Sequence, residues 1–192
     1  MLDNLTGKKM VCPWWLCFTF DNPLRKLLHH PETILSPYVR PGNTVIDVGA
    51  GMGYFSIPLA RLVGPEGHVT AIDVQAKMLA ALASRARRCG VSERIKPHLA
   101  NSDSLGNHPK VDFIMAFWMV HEVPNQRSFL TEIFSFLKPD GLFLLVEPIF
   151  HVPKKSFLRT IQTANKIGFI VKEMPKIRIS HSVLFIRNEN GL

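Results

Sequence analysis

The chain has few cysteines and no long apolar run. Cys12, Cys17 and Cys89 are its three cysteines among 192 residues. An odd number without paired spacing argues against a disulfide framework and is typical of a reducing compartment. The longest apolar stretches, such as 113–120 and 142–146, are far shorter than the ~20 residues of a membrane-spanning helix. The first ten residues also lack the apolar core of a secretory signal. We therefore expect a cytoplasmic protein without a membrane segment.

Acidic residues are scarce relative to basic ones, 15 against 23, which gives a formal net charge of +8. Such an excess suits a polyanionic partner such as RNA, or an anionic substrate. The densest basic groups lie in two predicted helices: Arg85, Arg87, Arg88, and Lys154, Lys155, Arg159. Cations in the last turn of a helix, as in the first group, are the ordinary arrangement. Solvated helix surfaces are therefore favoured, and nucleic-acid binding stays an open alternative.

Strand-like and helix-like segments alternate from residue 43 to about 170. Apolar or β-branched runs predict strands at 44–49, 68–74, 95–101, 111–117 and 141–147. Between them, apolar residues recur at helical spacing in 54–63, 76–89, 125–137 and 155–167. Two further β-rich segments, 169–174 and 180–187, lie too close together for a helical crossover and predict an antiparallel pair.

This alternation predicts an α/β fold, a doubly wound and mostly parallel sheet covered by helices. Pro97 weakens the third strand and indicates an edge of that sheet. We place the sheet in a domain of residues 41–192. Residues 1–40 are interpreted as an aromatic-rich N-terminal helical arm or lid, with a helix that begins at Asn22 and Pro23.

The turn after the first predicted strand lacks the third glycine of a dinucleotide-binding loop. A Rossmann site reads G-x-G-x-x-G. Here Gly49, Gly51 and Gly53 alternate, and Tyr54 stands where the last glycine would be. Asp47 would repel a pyrophosphate but could help to hold a cationic amino-acid group, directly or through water. The loop therefore favours a phosphate-free nucleotide with an ammonium group, S-adenosylmethionine, and a purely structural glycine turn is the alternative.

Polar residues end the next two predicted strands. Asp73 stands where a carboxylate can accept hydrogen bonds from both ribose hydroxyls, or where it could cap the following helix. Nicotinamide and S-adenosylmethionine sites share this position, so it supports an adenosine ligand without choosing between them. Asn101 or Ser102 could read the adenine edge, with Asp103 as a competitor and a plain turn as the alternative.

Taken together, these stretches resemble a class I S-adenosylmethionine-dependent methyltransferase of the seven-stranded, small-molecule type. The resemblance covers about 43–187 and rests on VIDVGAGMGYFS, AIDV, LANSDSL, VDFIMAFWMVHEVPN and FLKPDGLFLLVEP. It implies S-adenosylmethionine as cofactor and the strand order 3-2-1-4-5-7-6 with strand 7 antiparallel. The family often has aspartate at the adenine-reading position, where Asn101 aligns best here. The expected cofactor-binding residues are Asp47, Gly49, Ala50, Gly51, Gly53, Asp73, Val74, Asn101, Ser102 and Phe117.

The methyl acceptor is less well defined by the sequence. Residues 117–121, Phe-Trp-Met-Val-His, lack the Asn/Asp-Pro-Pro-aromatic motif of amino-methylating DNA enzymes and the Pro-Cys of cytosine methyltransferases. We expect a small-molecule acceptor, methylated at O, N, S or C. The alternatives are an RNA or protein methyltransferase and a non-catalytic S-adenosylmethionine-binding module, and a nicotinamide oxidoreductase is least favoured. His121 could be a general base on a phenol, thiol or carbon acid, or could only pack its loop.

Aromatic residues of the arm could line the acceptor pocket. The expected pocket residues are Trp14, Trp15 and Phe18, together with Trp118 after the fourth strand. The alternative is that the aromatic residues of the arm only cover one face of the sheet.

A metal site is not expected. Cys12 and Cys17, with His29 and His30 nearby, suggest one, but their spacing does not match the close cysteine pairs of structural zinc sites. Methyl transfer from a sulfonium also needs no metal. The sequence makes no prediction of the oligomeric state.

Overall fold

A computed structural model describes residues 29–187, which form a seven-stranded sheet with helices on both faces. The strands are β1 (Thr44–Val48), β2 (His68–Asp73), β3 (Ile95–Leu99), β4 (Val111–Phe117), β5 (Leu137–Pro148), β6 (Phe169–Glu173) and β7 (Ser180–Arg187). The helices are α1 (Pro31–Leu35), α2 (Ser56–Leu62), α3 (Ala76–Arg88), α4 (Gln126–Phe136) and α5 (Lys154–Ile167). Short 3-10 turns lie at Ser92–Arg94 and Val120–Glu122.

The strand order is β3-β2-β1-β4-β5-β7-β6, and β7 runs antiparallel to both of its neighbours. The other pairs are parallel, because each of their connections is long enough for a crossover. The β6–β7 connection is too short for one. Both the predicted fold class and the predicted strand order are confirmed.

Two apolar layers hold the sheet between the helices. Along β4 the side chains alternate, so that Phe113 packs on one face and Ile114 on the other. The first face is covered from α2 and α3 by residues such as Leu59 and Leu82, all fully buried. The opposite face is covered by α4 and α5. A strand buried on both faces explains the unbroken apolar run of β4.

Most element boundaries lie within two residues of the predicted ones, and 111–117 agrees at both ends. The fifth strand begins earlier than the predicted 141–147, although residues 139–141, Pro-Asp-Gly, have the composition of a turn. In the structure pairing with β4 already begins at Leu137, opposite Val111, and then shifts in register. Asp140, with φ +61°, lies in this irregularity. The turn-forming residues are thus absorbed as a bulge within the strand.

The edge position predicted for the Pro97 strand is confirmed, since within residues 29–187 β3 pairs with β2 and with no other strand. The basic residues Arg85, Arg87 and Arg88 occupy the last turn of α3, where they complement the helix dipole. Within residues 29–187 no helix is both long and apolar enough to cross a membrane. The helix expected at Asn22 lies outside the described residues.

The topology brings four strand ends to one place. In a sheet of this kind the order reverses between β1 and β4, and the carboxyl ends of the parallel strands face the same edge. The ends of β1, β2, β4 and β5 therefore meet beside the point of reversal. This edge is where the sequence-predicted site residues should gather.

Candidate active site

The glycine turn after β1 is held against the end of β2. The backbone N–H groups of Gly49 and Ala50 both donate to the carbonyl oxygen of Ile72, at 2.9 and 3.0 Å. Gly49 has φ +73°, and a Cβ at this position would lie 2.8 Å from Cγ of Met119. Only glycine satisfies both the backbone conformation and the close approach. Gly49 therefore packs against Met119, whereas a Cβ at Gly51, with φ +53°, would meet nothing within 4 Å and faces open space.

The third glycine of the turn has a different role. Gly53, with φ +85°, would place a Cβ 3.0 Å from Cγ of Leu82 on α3. It does not line the cleft, unlike the other predicted cofactor-binding residues. The structure thus assigns Gly53 to packing between the turn and α3, which sequence spacing alone does not distinguish from ligand contact.

Asp47 and Asp73 are the acidic residues of β1 and β2 that line the cleft. Asp47 is 2% exposed and accepts a hydrogen bond of 2.6 Å from the hydroxyl of Ser56. Asp73 is 8% exposed, and its two carboxylate oxygens accept the N–H groups of Gly51 and Gln75 at 2.9 and 2.8 Å. A carboxylate oxygen has a second lone pair, so these bonds leave acceptor capacity for a ligand.

The environment of Asp73 changes its titration. Burial raises the pKa of the Asp73 carboxyl above its usual range, and the backbone N–H groups of Gln75, Gly51 and Val74 oppose this change only in part. The N-cap of α3 is Gln75, and the side chain of Gln75 forms no capping hydrogen bond. Asp73 thus holds the backbone after β2 and the glycine turn through its hydrogen bonds, and it does not act as the N-cap of α3.

The segment after β3 closes the same side of the cleft. Asn101 and Ser102 are exposed and line it, and Asn101 forms an isolated bridge with Ser104. The N–H of Leu105 donates to the carboxylate of Glu132 on α4 at 2.7 Å, which anchors the loop to the helix. At the other end of the loop the N–H of Ala100 donates to the carbonyl oxygen of Asp73 at 3.0 Å, so the loop that could contact a base is held at both ends.

These residues surround a cleft of about 990 Å³. Of the predicted cofactor-binding residues, Asp47, Gly49, Ala50, Gly51, Asp73, Val74, Asn101, Ser102 and Phe117 all line it. Trp118 and His121 line it as well. The volume lies at the upper end of the range for small-molecule sites, which allows a nucleotide and a second molecule to be bound together.

Aromatic rings dominate the β4 and β5 side of the cleft. Trp118 follows β4, and its Nε1–H donates to the hydroxyl of Ser180 at 3.0 Å. Its ring meets those of His29 and Phe150 edge to face, with centroids 4.9 and 5.4 Å apart. Trp118 also has φ +60°, a backbone strain of about 1–3 kcal/mol that the surrounding contacts must offset. Such strain is common where a side chain must be aimed at a ligand.

His121 lies in the 3-10 turn beyond β4 and has a partner that sequence analysis missed. Its Nδ1 is 2.7 Å from Oε2 of Glu147, the acidic residue near the end of β5. The two residues lie on different elements, so their separation in the sequence does not indicate that they pair. One signal was available: like Asp47 and Asp73, Glu147 is an acid near the C-terminal end of a buried apolar strand.

Three of the predicted acceptor-pocket residues, Trp14, Trp15 and Phe18, lie outside the described residues, as do Cys12 and Cys17. Among residues 29–187 no group of three or more His, Cys, Asp or Glu side chains is arranged to hold a metal ion. The absence of a metal site in the whole chain therefore stays a prediction.

The fold and the cleft define a class of protein, the seven-stranded nucleotide-binding α/β proteins with an alternate-glycine turn. A family model described as "Methyltransferase domain" matches residues 40–176. The chain belongs to this family, which confirms the resemblance drawn from its motifs.

Several curated relatives, among them proteins from Brucella canis and Shewanella pealeana, carry the name ubiquinone/menaquinone biosynthesis C-methyltransferase UbiE. The Brucella canis protein is 31% identical over 114 residues, which is 59% of this chain and 42% of the relative. The Shewanella pealeana protein is 30% identical over 132 residues, 67% of this chain and 51% of the relative. The chain thus matches only about half the length of these relatives.

Solved structures share the fold. A SAM-dependent methyltransferase from Aquifex aeolicus superposes with a TM-score of 0.83 at 23% identity, over 92% of this chain and 100% of that one. Aeropyrum pernix fibrillarin, solved with natively bound S-adenosyl-L-methionine, gives a TM-score of 0.61 at 16% identity, over 77% of this chain and 68% of that one.

Proposed function

We propose that this protein transfers a methyl group from S-adenosylmethionine to a small-molecule acceptor. The observation that carries the proposal is one cleft with two chemically different sides. The β1–β2 side has a glycine turn and a buried carboxylate at each strand, and no lysine or arginine is among the described residues that line the cleft. The β4–β5 side has aromatic rings and a histidine paired with a carboxylate.

The residues of the first side fit S-adenosylmethionine. Asp73 would accept the ribose hydroxyls through the lone pairs that its backbone bonds leave available. The open space beside Gly51 would admit the amino-acid part, near the carboxyl group of Asp47. Asn101 and Ser102 would meet the adenine. Bound there, the molecule supplies an electrophilic methyl group.

The second side would hold the acceptor. In-line placement of the nucleophile can supply on the order of 7–11 kcal/mol of the barrier once water is excluded. Trp118 would shape this place, and the arm of residues 1–40 with Trp14, Trp15 and Phe18 would cover it. The curated relatives are named C-methyltransferases, which favours carbon among the possible acceptor atoms. A cytoplasmic location stays a prediction.

Methylation of RNA is the second candidate, and the net charge of +8 is the observation that favours it. A salt-dependent affinity for RNA would support that reading. The apolar, aromatic lining of the acceptor side favours a small molecule.

The first test uses thermal stability. A ligand at 100 times its dissociation constant stabilises the native state by about 2.7 kcal/mol. For a chain of this size each kcal/mol raises Tm by about 2–4 °C, so S-adenosylhomocysteine should raise Tm by about 5–11 °C. NADH at the same concentration should leave Tm unchanged, because its pyrophosphate would face Asp47. A shift with NADH and none with S-adenosylhomocysteine would contradict the proposal.

A second test uses pH. The ribose contact needs an ionised Asp73, and burial raises the pKa of this carboxyl. Affinity for S-adenosylhomocysteine should therefore be full at neutral pH and fall as the pH drops through that raised pKa, above the ~3.9 of an ordinary aspartate. Calorimetric titration at several pH values measures this. Asp73→Asn is the matched control and should bind weakly with no such dependence. The same pH dependence in that variant would assign the effect to another group.

A further inference from the structure

Glu147 is a buried carboxylate that the cofactor chemistry does not require. Its side chain is 4% exposed, against 24% for His121. A carboxylate removed from water is costly unless it is paired and hydrogen-bonded. Its Oε2 lies 2.7 Å from Nδ1 of His121, the distance of a charge-assisted bond. The buried carboxylate near the end of β5 is therefore paired with a histidine from the turn after β4.

Other titratable groups surround this pair. Oε1 of Glu122, in the same turn as His121, is 4.0 Å from Nε2. The ring of His151, beyond β5, lies 5.8 Å from that of His121. His181 on β7 is the cross-strand neighbour of Glu147, and its ring stacks on Phe157 at 5.3 Å. Among these groups Glu147 makes the shortest contact with the His121 ring.

We propose that Glu147 is a positioning residue that fixes His121 as a general base for an aromatic acceptor bearing a weakly acidic hydroxyl group. This inference rests on the proposed methyl transfer. A carboxylate has only acceptors to offer, so Nδ1 of His121 carries the hydrogen. The proton-accepting lone pair of the neutral ring is then on Nε2. Glu147 also stabilises the imidazolium that forms when Nε2 takes a proton.

The acceptor class follows from the surroundings of the pair. Trp118 and Phe150 form apolar walls on the same side of the cleft, which suits a flat aromatic ring. A phenol-like hydroxyl is almost wholly protonated at neutral pH, with a pKa near ~10, and gains much from a nearby base. A thiol, at ~8.5, gains less. A base paired with a buried carboxylate is therefore best matched to an aromatic hydroxyl.

The step balances without another reactant. The hydroxyl proton moves to Nε2 of His121, and its electron pair stays on the acceptor. The acceptor then forms its new bond to the methyl carbon, either from the oxygen or from a ring carbon made nucleophilic by that oxygen. The electron pair of the broken carbon–sulfur bond remains on sulfur, which becomes a neutral thioether. On the ring-carbon route the former hydroxyl oxygen becomes a carbonyl. The ring carbon then loses its own proton to water, and the oxygen regains the proton held on Nε2 of His121, which restores the aromatic hydroxyl and the neutral imidazole.

The first test needs no acceptor. In the full chain labelled with ¹⁵N-histidine and saturated with S-adenosylhomocysteine, NMR should show His121 as the Nδ1–H tautomer. In Glu147→Gln the charge that favours the imidazolium is lost, so the pH at which His121 is half protonated should move lower. Glu93→Gln removes the same charge from an exposed position and should leave the titration of His121 unchanged. An Nε2–H tautomer, or an unchanged titration in Glu147→Gln, would overturn the positioning role.

The second test is kinetic. Labelled S-adenosylmethionine is offered with phenols and naphthols, and with matched aromatic amines and thiols, and the products show whether oxygen or carbon is methylated. With a protonated phenol, Glu147→Gln should lower kcat about tenfold or more and change KM little. This is the effect expected from the loss of one charge-assisted hydrogen bond in the transition state. With nitrophenols that are already ionised at the assay pH, the loss should largely disappear. An equal loss on both would mean that Glu147 is merely structural.

The outcomes separate this inference from the proposed function. If S-adenosylhomocysteine binds but no aromatic hydroxyl compound is methylated, the acceptor class is wrong and the methyltransferase proposal stands. If S-adenosylhomocysteine does not bind, the proposed function itself fails.

Discussion

Replacing Asp73 with alanine should weaken the binding of S-adenosylmethionine by about 10–150-fold, the effect of losing roughly 1.5–3 kcal/mol from a hydrogen bond to a charged group. The loss should be larger if both ribose hydroxyls bond to this carboxylate. Isothermal titration calorimetry with S-adenosylhomocysteine measures the change directly.

Asp73 also accepts the backbone N–H groups of Gly51 and Gln75, so the alanine variant could loosen the glycine turn. Asp73→Asn keeps the size of the side chain and one acceptor oxygen, and it separates the two effects. If both variants lose affinity while Tm without ligand stays close to that of the wild type, the ribose contact is responsible. Wild-type affinity in either variant would contradict the assignment.

The sheet could be predicted because its signals are local. The apolar run of 111–117 indicates a strand that is covered on both faces. The short connection between the last two strands indicates an antiparallel pair. The bulge in β5 could not be predicted in the same way. Residues 139–141 have the composition of a turn, and only pairing of Leu137 with β4 keeps them within the strand.

Most residues predicted to bind the cofactor do line one cleft, because they follow single strands at fixed spacing, and their contact with the cofactor stays a prediction. Gly53 shows the limit of such a prediction, because it belongs to the same glycine turn but faces α3 instead of the cleft. The pairing of His121 with Glu147 joins residues from two neighbouring strand ends. Sequence supplies each residue, but only the parallel pairing of β4 with β5 brings them together.

The largest effect is expected for His121. Changing it to alanine should lower kcat by about 10²–10⁴-fold if it is a general base, and affinity for S-adenosylhomocysteine should change only a few-fold. The measurement is steady-state methyl transfer to an aromatic hydroxyl acceptor, with the binding constant determined in parallel. His68→Ala, at an exposed position at the start of β2, is the matched control and should keep wild-type kcat.

The alanine variant leaves the buried Glu147 carboxylate without its imidazole, which by itself can destabilise the fold by about 3–5 kcal/mol. The double variant His121→Ala, Glu147→Gln removes that unpaired charge and should recover thermal stability. Its kcat should stay as low as that of His121→Ala, because a base is still missing from the cleft. Recovery of kcat together with stability would mean that His121 only neutralises Glu147, and that methyl transfer proceeds without a base from this pair.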